Sequence, residues 1–423
     1  MTTARVLLME AAGPESAALV ETATARGYQV HAATGPEQFA TYSTELRTAL
    51  SGCLRTDFSR PEQAIDDILG YARRVGVDAV LTTNEYLTPL VADICSALGL
   101  PGNDPAVAGA ARNKAAMVEQ FGRCGVTAPH TRVLRHESEL RRLAAADQVT
   151  FPCIIKPTEG AGSAGVTVVM CGAEAAAAFR AAQDRHGMGL DPRVLVQELV
   201  DGVEYSVESI TQNGTSTHLC VTHKIVTNGA HSAELGHGLP VVLPPQVEQA
   251  VYKQVDLAIA AVGIRNGASH TEVMLTPNGQ CTVIEIGARI GAGHIGFLIQ
   301  HAVGIDPWAA CLDTALGRPA QLSPTRGGYA TVRFLTTPHP GRLAAVTGLP
   351  DHSPQVPVVW VRKALGETVN GTEDNTGRLG SFIVIGPDRH HVDRDADRLL
   401  AQVRIEVEPL EQSGHSTDQC DSR

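Results

Sequence analysis

Two glutamates and an arginine raise the first chemical question. In the stretch TEVMLTPNGQCTVIEIGARIGAGHI, from Thr271 to Ile295, Glu272 and Glu285 stand thirteen residues apart, and Arg289 follows four residues after the second. The Pro277-Asn278-Gly279 turn between them reads as the tip of a hairpin, and strand alternation then allows both carboxylates to face the same way. Two carboxylates plus phosphate oxygens suit Mg²⁺, a small hard cation that keeps oxygen ligands and rarely takes an all-protein cage. Glu285 lies in the apolar run TVIEIGARIGAG, so its charge must meet a metal or a cation such as Arg289. Taken alone, a metal site and an inert Glu285–Arg289 ion pair suit these residues equally.

A second group surrounds Lys156, which ends the apolar run before the loop Glu159-Gly160-Ala161-Gly162-Ser163-Ala164-Gly165. Small residues let backbone N–H groups approach an anion, and a lysine ending the preceding strand adds a point charge. The order is not that of a Walker A motif, because the lysine precedes the glycines. A flexible loop beside a surface lysine fits as well as a phosphate cradle. A third group is VLVQELVDGVEYSVE, residues 194–208. A strand ending at Glu198 leaves the Leu199–Val200 backbone free to read an adenine edge, and Glu204 could accept ribose hydroxyls. A hairpin rimmed by exposed acids explains that motif, by itself, better.

These residues need elements to position them. Strand–helix alternation over ARVLLM, AAGPESAALVETATARG, YQVHAAT, VDAVLTT and LVADICSALGLP predicts a parallel sheet with helices on both faces for residues 1–103. Gly13 lacks the GxGxxG context of a dinucleotide site. Residues 104–320 read as a second unit, with 114–195 as its lid: a helix at RNKAAMVEQFGRCG, a strand at Thr127–Val133, a helix at ELRRLAAA, and strands on either side of the glycine loop. A helix (EAAAAFRAAQDRHG), a hairpin turning at Asn213–Gly214 and a long amphipathic helix (VEQAVYKQVDLAIAAVG) complete it. A β-rich unit is expected over 321–408 and a disordered tail over 409–423.

A chain of 423 residues with 43% hydrophobic content and 19% charge is an ordinary globular composition, too long for one core. Its net charge of −11 argues against nucleic acid as a partner. The nine cysteines are scattered without CxxC spacing and read as reduced thiols. The start MTTARVLLMEAAG lacks the layout of a signal peptide, and no run reaches the ~18 apolar residues of a membrane span. A cytoplasmic location is expected.

Lys114, Lys156 with its glycine loop, the E-L-V-x-G-x-E hinge and the Glu272/Glu285/Arg289 set follow in one order over about 180 residues. This combination resembles the ATP-grasp superfamily of carboxylate–amine/thiol ligases, over residues 104–312. The resemblance implies an N-terminal Rossmann-like α/β domain, a central α+β ATP-grasp domain of two subdomains, and a small β-rich C-terminal domain. It implies ATP and Mg²⁺, with Mn²⁺ a possible substitute. Lys114 and Lys156 would contact the α- and β-phosphates, and the loop from Glu159 to Val166 would cover them. Glu198, Leu199 and Val200 would bind adenine, Glu204 would take the ribose, and Ile284 would also contact the nucleotide. Glu272 and Glu285 would hold the metal, and Arg289 would stabilise an acyl phosphate. Many members carry an Asn two residues after the second metal Glu, where this chain has Gly287.

The segment Thr222 to His237, followed by GLPVVLPP, is similar to the TEK…VEVGH…P-LPP segment of bacterial L-amino-acid ligases, dipeptide synthetases of the bacilysin-synthetase type. That likeness puts Lys224 on the phosphates, and places Glu234, His237, Arg289, Gly291, Gly293 and His294 around the amino acid. His223 stands where the family has a Glu. The implied activity is ATP-dependent amide formation between an amino acid and an amine, through an acyl phosphate, with the glycine loop and the C-terminal unit as lids. The implied partners are small molecules, and a homodimer is compatible with the sequence. The rivals are a carboxylase- or purine-biosynthesis-type enzyme using bicarbonate or formate, and a nucleotide-binding protein with a dead site.

Overall fold

Apolar runs buried on both faces need neighbours on both sides, and the N-terminal region supplies them. The computed structural model describes residues 3–184, 191–227, 233–372 and 374–410. Val6, Leu7, Leu8 and Met9 of strand Arg5–Met9 are all buried, in the interior of a four-stranded parallel sheet. The order is Gly52–Arg55, Gln29–Thr34, Arg5–Met9, Ala79–Leu81, with helices Pro14–Ala25, Pro61–Val75 and Thr88–Leu98 packed around it. Strand Gly52–Arg55 and helix Pro61–Val75 were not foreseen: GCLR is too short to show a period.

Residues 131–198 form an antiparallel four-stranded sheet in the order Thr131–Leu134, Val194–Glu198, Cys153–Pro157, Thr167–Val169. Helices Glu137–Ala145 and Gly172–Asp184 cover it around a core that includes Leu140, Ile155 and Phe179. The end of the expected EAAAAFRAAQDRHG helix, and residues 411–423 of the expected tail, lie outside the described residues.

The floor is an eight-stranded sheet in the order Cys281–Gly287, Gly267–Leu275, Val203–Gln212, Thr215–Val226, Glu234–Leu239, Tyr329–Leu335, Gly380–Gly386, Val358–Val361. Asn213 (φ 50°) and Gly214 (φ +78°) turn the hairpin Val203–Val226 where expected, as a two-residue turn with both central φ positive requires. Helices Lys114–Cys124 and Pro245–Ala261 back one part of this sheet, and Ile295–Ala302 packs under the rest. A small sheet of Thr368–Val369, Gly341–Thr347 and Arg404–Glu408 lies beyond it.

The small C-terminal domain joins the central one by strand pairing: Tyr329–Leu335 pairs with Glu234–Leu239 through Gly236↔Arg333 to Leu239↔Ala330. A lid movement of those strands would break a continuous ladder, so they serve as fixed wall. The eight described cysteines are free, and no single helix among the described residues is long and apolar enough to cross a membrane.

Candidate active site

A cleft of about 810 Å³ opens between the floor sheet and the sheet of residues 131–198. Its walls bring together Lys114 and Lys156, the loop residues Gly160, Gly162, Ser163, Ala164 and Val166, and the hinge residues Glu198, Leu199, Val200 and Glu204. Lys224, Glu272, Ile284, Glu285 and Arg289 line the same cleft, and Glu234, His237, Gly293 and His294 close one end. Three expected residues are not on the wall. Glu159 turns away to accept from Asn113 Nδ2 at 3.1 Å and to pair with Arg112 at 3.2 Å, which anchors the loop to a helix cap. Gly165 (φ +74°) serves the loop's own turn. Gly291 gives room to a histidine, since a Cβ there would stand 2.8 Å from His270 Nδ1.

Glu272 and Glu285 are direct cross-strand partners, so their carboxylates do face one way. Glu285 does not pair with Arg289; its cation is Lys114 Nζ at 2.9 Å. Burial alone would depress the Lys114 pKa, but the fields of Glu285 and Glu85 outweigh it and raise it. Arg289 instead donates to Glu85 Oε2, with its Nε at 3.0 Å. Glu85 lies at the end of the N-terminal sheet, in a 3₁₀ turn that follows Ala79–Leu81.

Lys224 joins three carboxylates: Glu272 Oε1 at 2.9 Å, Glu234 Oε1 at 3.2 Å and Glu204 Oε1. Burial raises the Glu204 pKa despite the lysine. Burial pushes that of Glu234 the same way, but Lys224, His237 and Arg378 hold it well below the carboxylate range. His237 Nε2 stands 3.3 Å from Glu234 Oε2, and its Nδ1 is 3.1 Å from the Gly293 carbonyl. His223, one residue before Lys224, points to the opposite face beside Tyr205.

Lys156 differs from the other buried cations here. It is buried, and among the described residues its ammonium has no hydrogen-bond or ion-pair partner. Burial lowers its pKa, the nearby Lys114 adds to the effect, and Glu285 offsets it only in part. A buried cation without a direct partner, beside a glycine loop, is a receptor for an anion.

Family models match in three places: the ATP-grasp domain over residues 149–297, the ATP-grasp N-terminal domain over 20–102, and the L-amino acid ligase C-terminal domain 2 over 333–408. The chain carries an ATP-grasp domain and is similar to L-amino-acid ligases. It is similar to alanine–anticapsin ligase of Bacillus subtilis (26% identical over 288 residues; 63% of this chain, 60% of that one). It is also similar to carnosine synthase 1 of Gallus gallus (30% identical over 370 residues; 81% of this chain, 39% of that one). The chain thus spans 60% and 39% of these two relatives. The crystal structure of an L-amino acid ligase from Bacillus licheniformis superposes with a TM-score of 0.81 at 21% identity, covering 96% of this chain and 99% of that one.

ATP-grasp proteins generally use ATP and Mg²⁺, and the residues present fit both. Lys156 lacks an anion, the loop glycines keep the cradle open, and two facing carboxylates make an incomplete cage that phosphate oxygens would complete. No group of three or more His, Cys, Asp or Glu among the described residues could hold a metal by itself. At Gly287 the missing side chain leaves room beside Glu85, whose Oε2 lies 3.8 Å from where a Cβ would stand.

Several wall residues of this ATP-grasp protein escaped the sequence reading. His270 Nδ1 meets Glu208 Oε1 at 2.8 Å and its Nε2 approaches Glu272 Oε1 at 3.4 Å. Burial works against the charged imidazole, but Glu208 and Glu272 push its pKa up to about 10, so it is a cation that braces Glu272. Arg378, stacked 3.7 Å from the Phe334 ring centroid, holds Glu234. Only the H-x-E spacing of His270 and Glu272 offered a local signal.

Proposed function

We propose that this chain is an ATP-dependent carboxylate–amine ligase that activates the carboxylate of one amino acid as an acyl phosphate and joins it to an amine, in the first instance that of a second amino acid. The observation that carries the reading is a single continuous cleft with the unpaired Lys156 and the Glu272/Glu285 edge at one end and the Glu234–His237 pair at the other. A relative's name supports it: alanine–anticapsin ligase describes the joining of an amino acid, alanine, to a second compound.

A carboxylate is a poor electrophile, so the site must first make it a better one. Lys156 and Lys114 meet the oxygens of the phosphoryl group, where fixed positive charge lowers the barrier. Mg²⁺ held by Glu272 and Glu285 would neutralise those oxygens further. Ile284, Leu199 and the Val200 backbone flank the base, Glu198 stands at the hinge, and Glu204 faces the ribose. Arg289, kept in place by Glu85, holds the negative charge that develops on the acyl oxygen. Glu234, ionised because its neighbours keep its pKa low, receives an ammonium, and His237 with Gly293 and His294 shapes that end. The loop from Gly160 to Val166 keeps water from the activated acyl group.

A phosphate-release screen over pairs of amino acids and amines, with mass spectrometry of the products, tests the reading. Amide formed in step with ADP is the expected result. ADP formation with bicarbonate or formate and no amino acid would move the chain to the carboxylase or purine-biosynthesis type. No ADP with any pair would leave a nucleotide-binding protein.

A further inference from the structure

Two parts of the cleft wall with different tasks are joined by one residue. Asn375 opens the 3₁₀ turn Asn375–Gly377, which leads into strand Gly380–Gly386 of the fixed wall. Its backbone N–H donates to the Gly162 carbonyl at 3.1 Å, on the glycine loop. Its side-chain oxygen accepts from the Glu234 backbone N–H at 3.0 Å, and its side-chain amide donates to Glu234 Oε2 at 3.1 Å. The fit against the loop is close: Gly162 has φ +66°, and a Cβ there would stand 3.2 Å from Asn375 Cβ. The loop has a second anchor at its other side, where Lys114 Nζ donates to the Gly160 carbonyl at 2.9 Å.

We propose that Asn375 is a positioning residue, a latch that ties the glycine loop to the amino-acid-facing carboxylate Glu234 and keeps the cleft shut against water while the activated acyl group exists. This rests on the acyl-transfer reading above. With the latch made, the amine reaches the acyl carbon: the C–N bond forms, the C–O bond to phosphate breaks, and phosphate leaves with the electron pair and takes up the proton that the amine gives up. With the latch released, water takes the amine's place. The same C–O bond breaks, the carboxylate is regenerated, and one ATP is consumed without amide. Because one residue holds the loop through its backbone N–H and Glu234 through its side chain, rearrangement of Glu234 around a bound ammonium is felt at the loop.

The test uses Asn375→Ala, which removes both side-chain bonds to Glu234 but keeps the backbone N–H. Asn375→Asp keeps the acceptor for the Glu234 N–H while setting carboxylate against carboxylate, and Asn375→Ser serves as partial rescue. Hydrogen exchange at the amides of residues 159–166, measured on the full chain without nucleotide, should accelerate about tenfold in Ala and Asp, equivalent to about 1.4 kcal/mol, and less in Ser. Exchange along strand Gly380–Gly386 should stay at the wild-type rate, which separates the latch from a folding defect. In turnover, the ratio of ADP released to amide formed should rise on the order of tenfold in Ala, with the KM for ATP changed less than about threefold. Unchanged loop exchange overturns the latch. Faster exchange with an unchanged ratio overturns its role in excluding water. If the wild-type chain makes no amide from any pair, the ligase reading fails, and the exchange experiment still judges the latch on its own.

Discussion

Replacing Glu85 with Gln isolates the pair that joins the N-terminal sheet to the reacting edge. Arg289 donates to Glu85 through Nε at 3.0 Å, and the two side chains are only 16% and 10% exposed. Burial alone would lower the Arg289 pKa and raise that of Glu85, yet each shifts the other way because of its partner. At ~3 Å and an effective dielectric of ~20 the attraction is roughly 5 kcal/mol. Desolvation offsets much of it while the pair is intact, but losing one partner leaves a buried charge uncompensated, at a cost of about 3–5 kcal/mol. Glu85→Gln keeps the shape and one acceptor, so a loss near the lower end, about 3 kcal/mol, is expected. Urea unfolding followed by the fluorescence of Trp308 reports it, since that indole is buried in the cluster between helix Pro307–Ala315 and the N-terminal sheet. A double-mutant cycle with Arg289→Met should return a coupling of about 2–3 kcal/mol. In turnover, Glu85→Gln should lower kcat by about 10²-fold, as for a mispositioned oxyanion donor, with the KM for ATP nearly unmoved. Additive single mutants, with coupling under about 0.5 kcal/mol, would refute the pairing. Intact coupling with an unchanged kcat would remove Arg289 from the reacting centre.

Lys156→Met should raise the unfolding midpoint of the nucleotide-free protein, because it deletes an unpaired buried cation, while weakening ATP binding by about 10- to 100-fold; calorimetric titration and thermal melts read both, and a lower midpoint would contradict the unpaired state. Glu285→Gln should raise the Mg²⁺ concentration for half-maximal ADP formation at least about tenfold, and an unshifted Mg²⁺ titration would sink the metal assignment. His294, held at about 4 by burial and by His237 and Arg378, is neutral in the fold and takes up a proton only on unfolding between pH 6.5 and 4. Its folded pKa lies below its unfolded value, so stability falls on acidification through that window, by up to about 3 kcal/mol. His294→Gln should flatten the midpoint-versus-pH curve there, and an identical curve would exclude His294 as its source.

What the sequence revealed was mostly local. The Asn213–Gly214 and Pro277–Gly279 turns, the helix over RNKAAMVEQFGRCG and the facing of Glu272 and Glu285 all follow from short-range spacing, and the structure has each. The partners were not local. Glu85 lies 204 residues from Arg289, and Asn375 and Arg378 lie 141 and 144 residues from Glu234. Nothing in TTNEY or DNTGR announces such a contact, because polar residues after a strand look the same whether they face water or a cleft. Glu159 misled for a related reason: alternation assigns faces along a strand, but not in a loop, where Arg112 and Asn113 claimed it. Strand pairing was the remaining blind spot, since the run YATVRFL shows a buried strand but not which edge it joins.

That pairing bears on how the chain can be divided. Ending it near residue 320 would keep the glycine loop, both facing glutamates and Arg289, and so nearly every residue of the nucleotide end. It would also strip Glu234–Leu239 of its neighbour Tyr329–Leu335 and take away Asn375 and Arg378. The strand bearing Glu234 and His237 would become a bare sheet edge, open to pairing with other chains. On the proposed reading, the amino-acid end is therefore not separable cargo on the nucleotide end: the two share one hydrogen-bonded sheet, and an interchange of C-terminal regions between relatives must carry the seam at Gly236↔Arg333 with it.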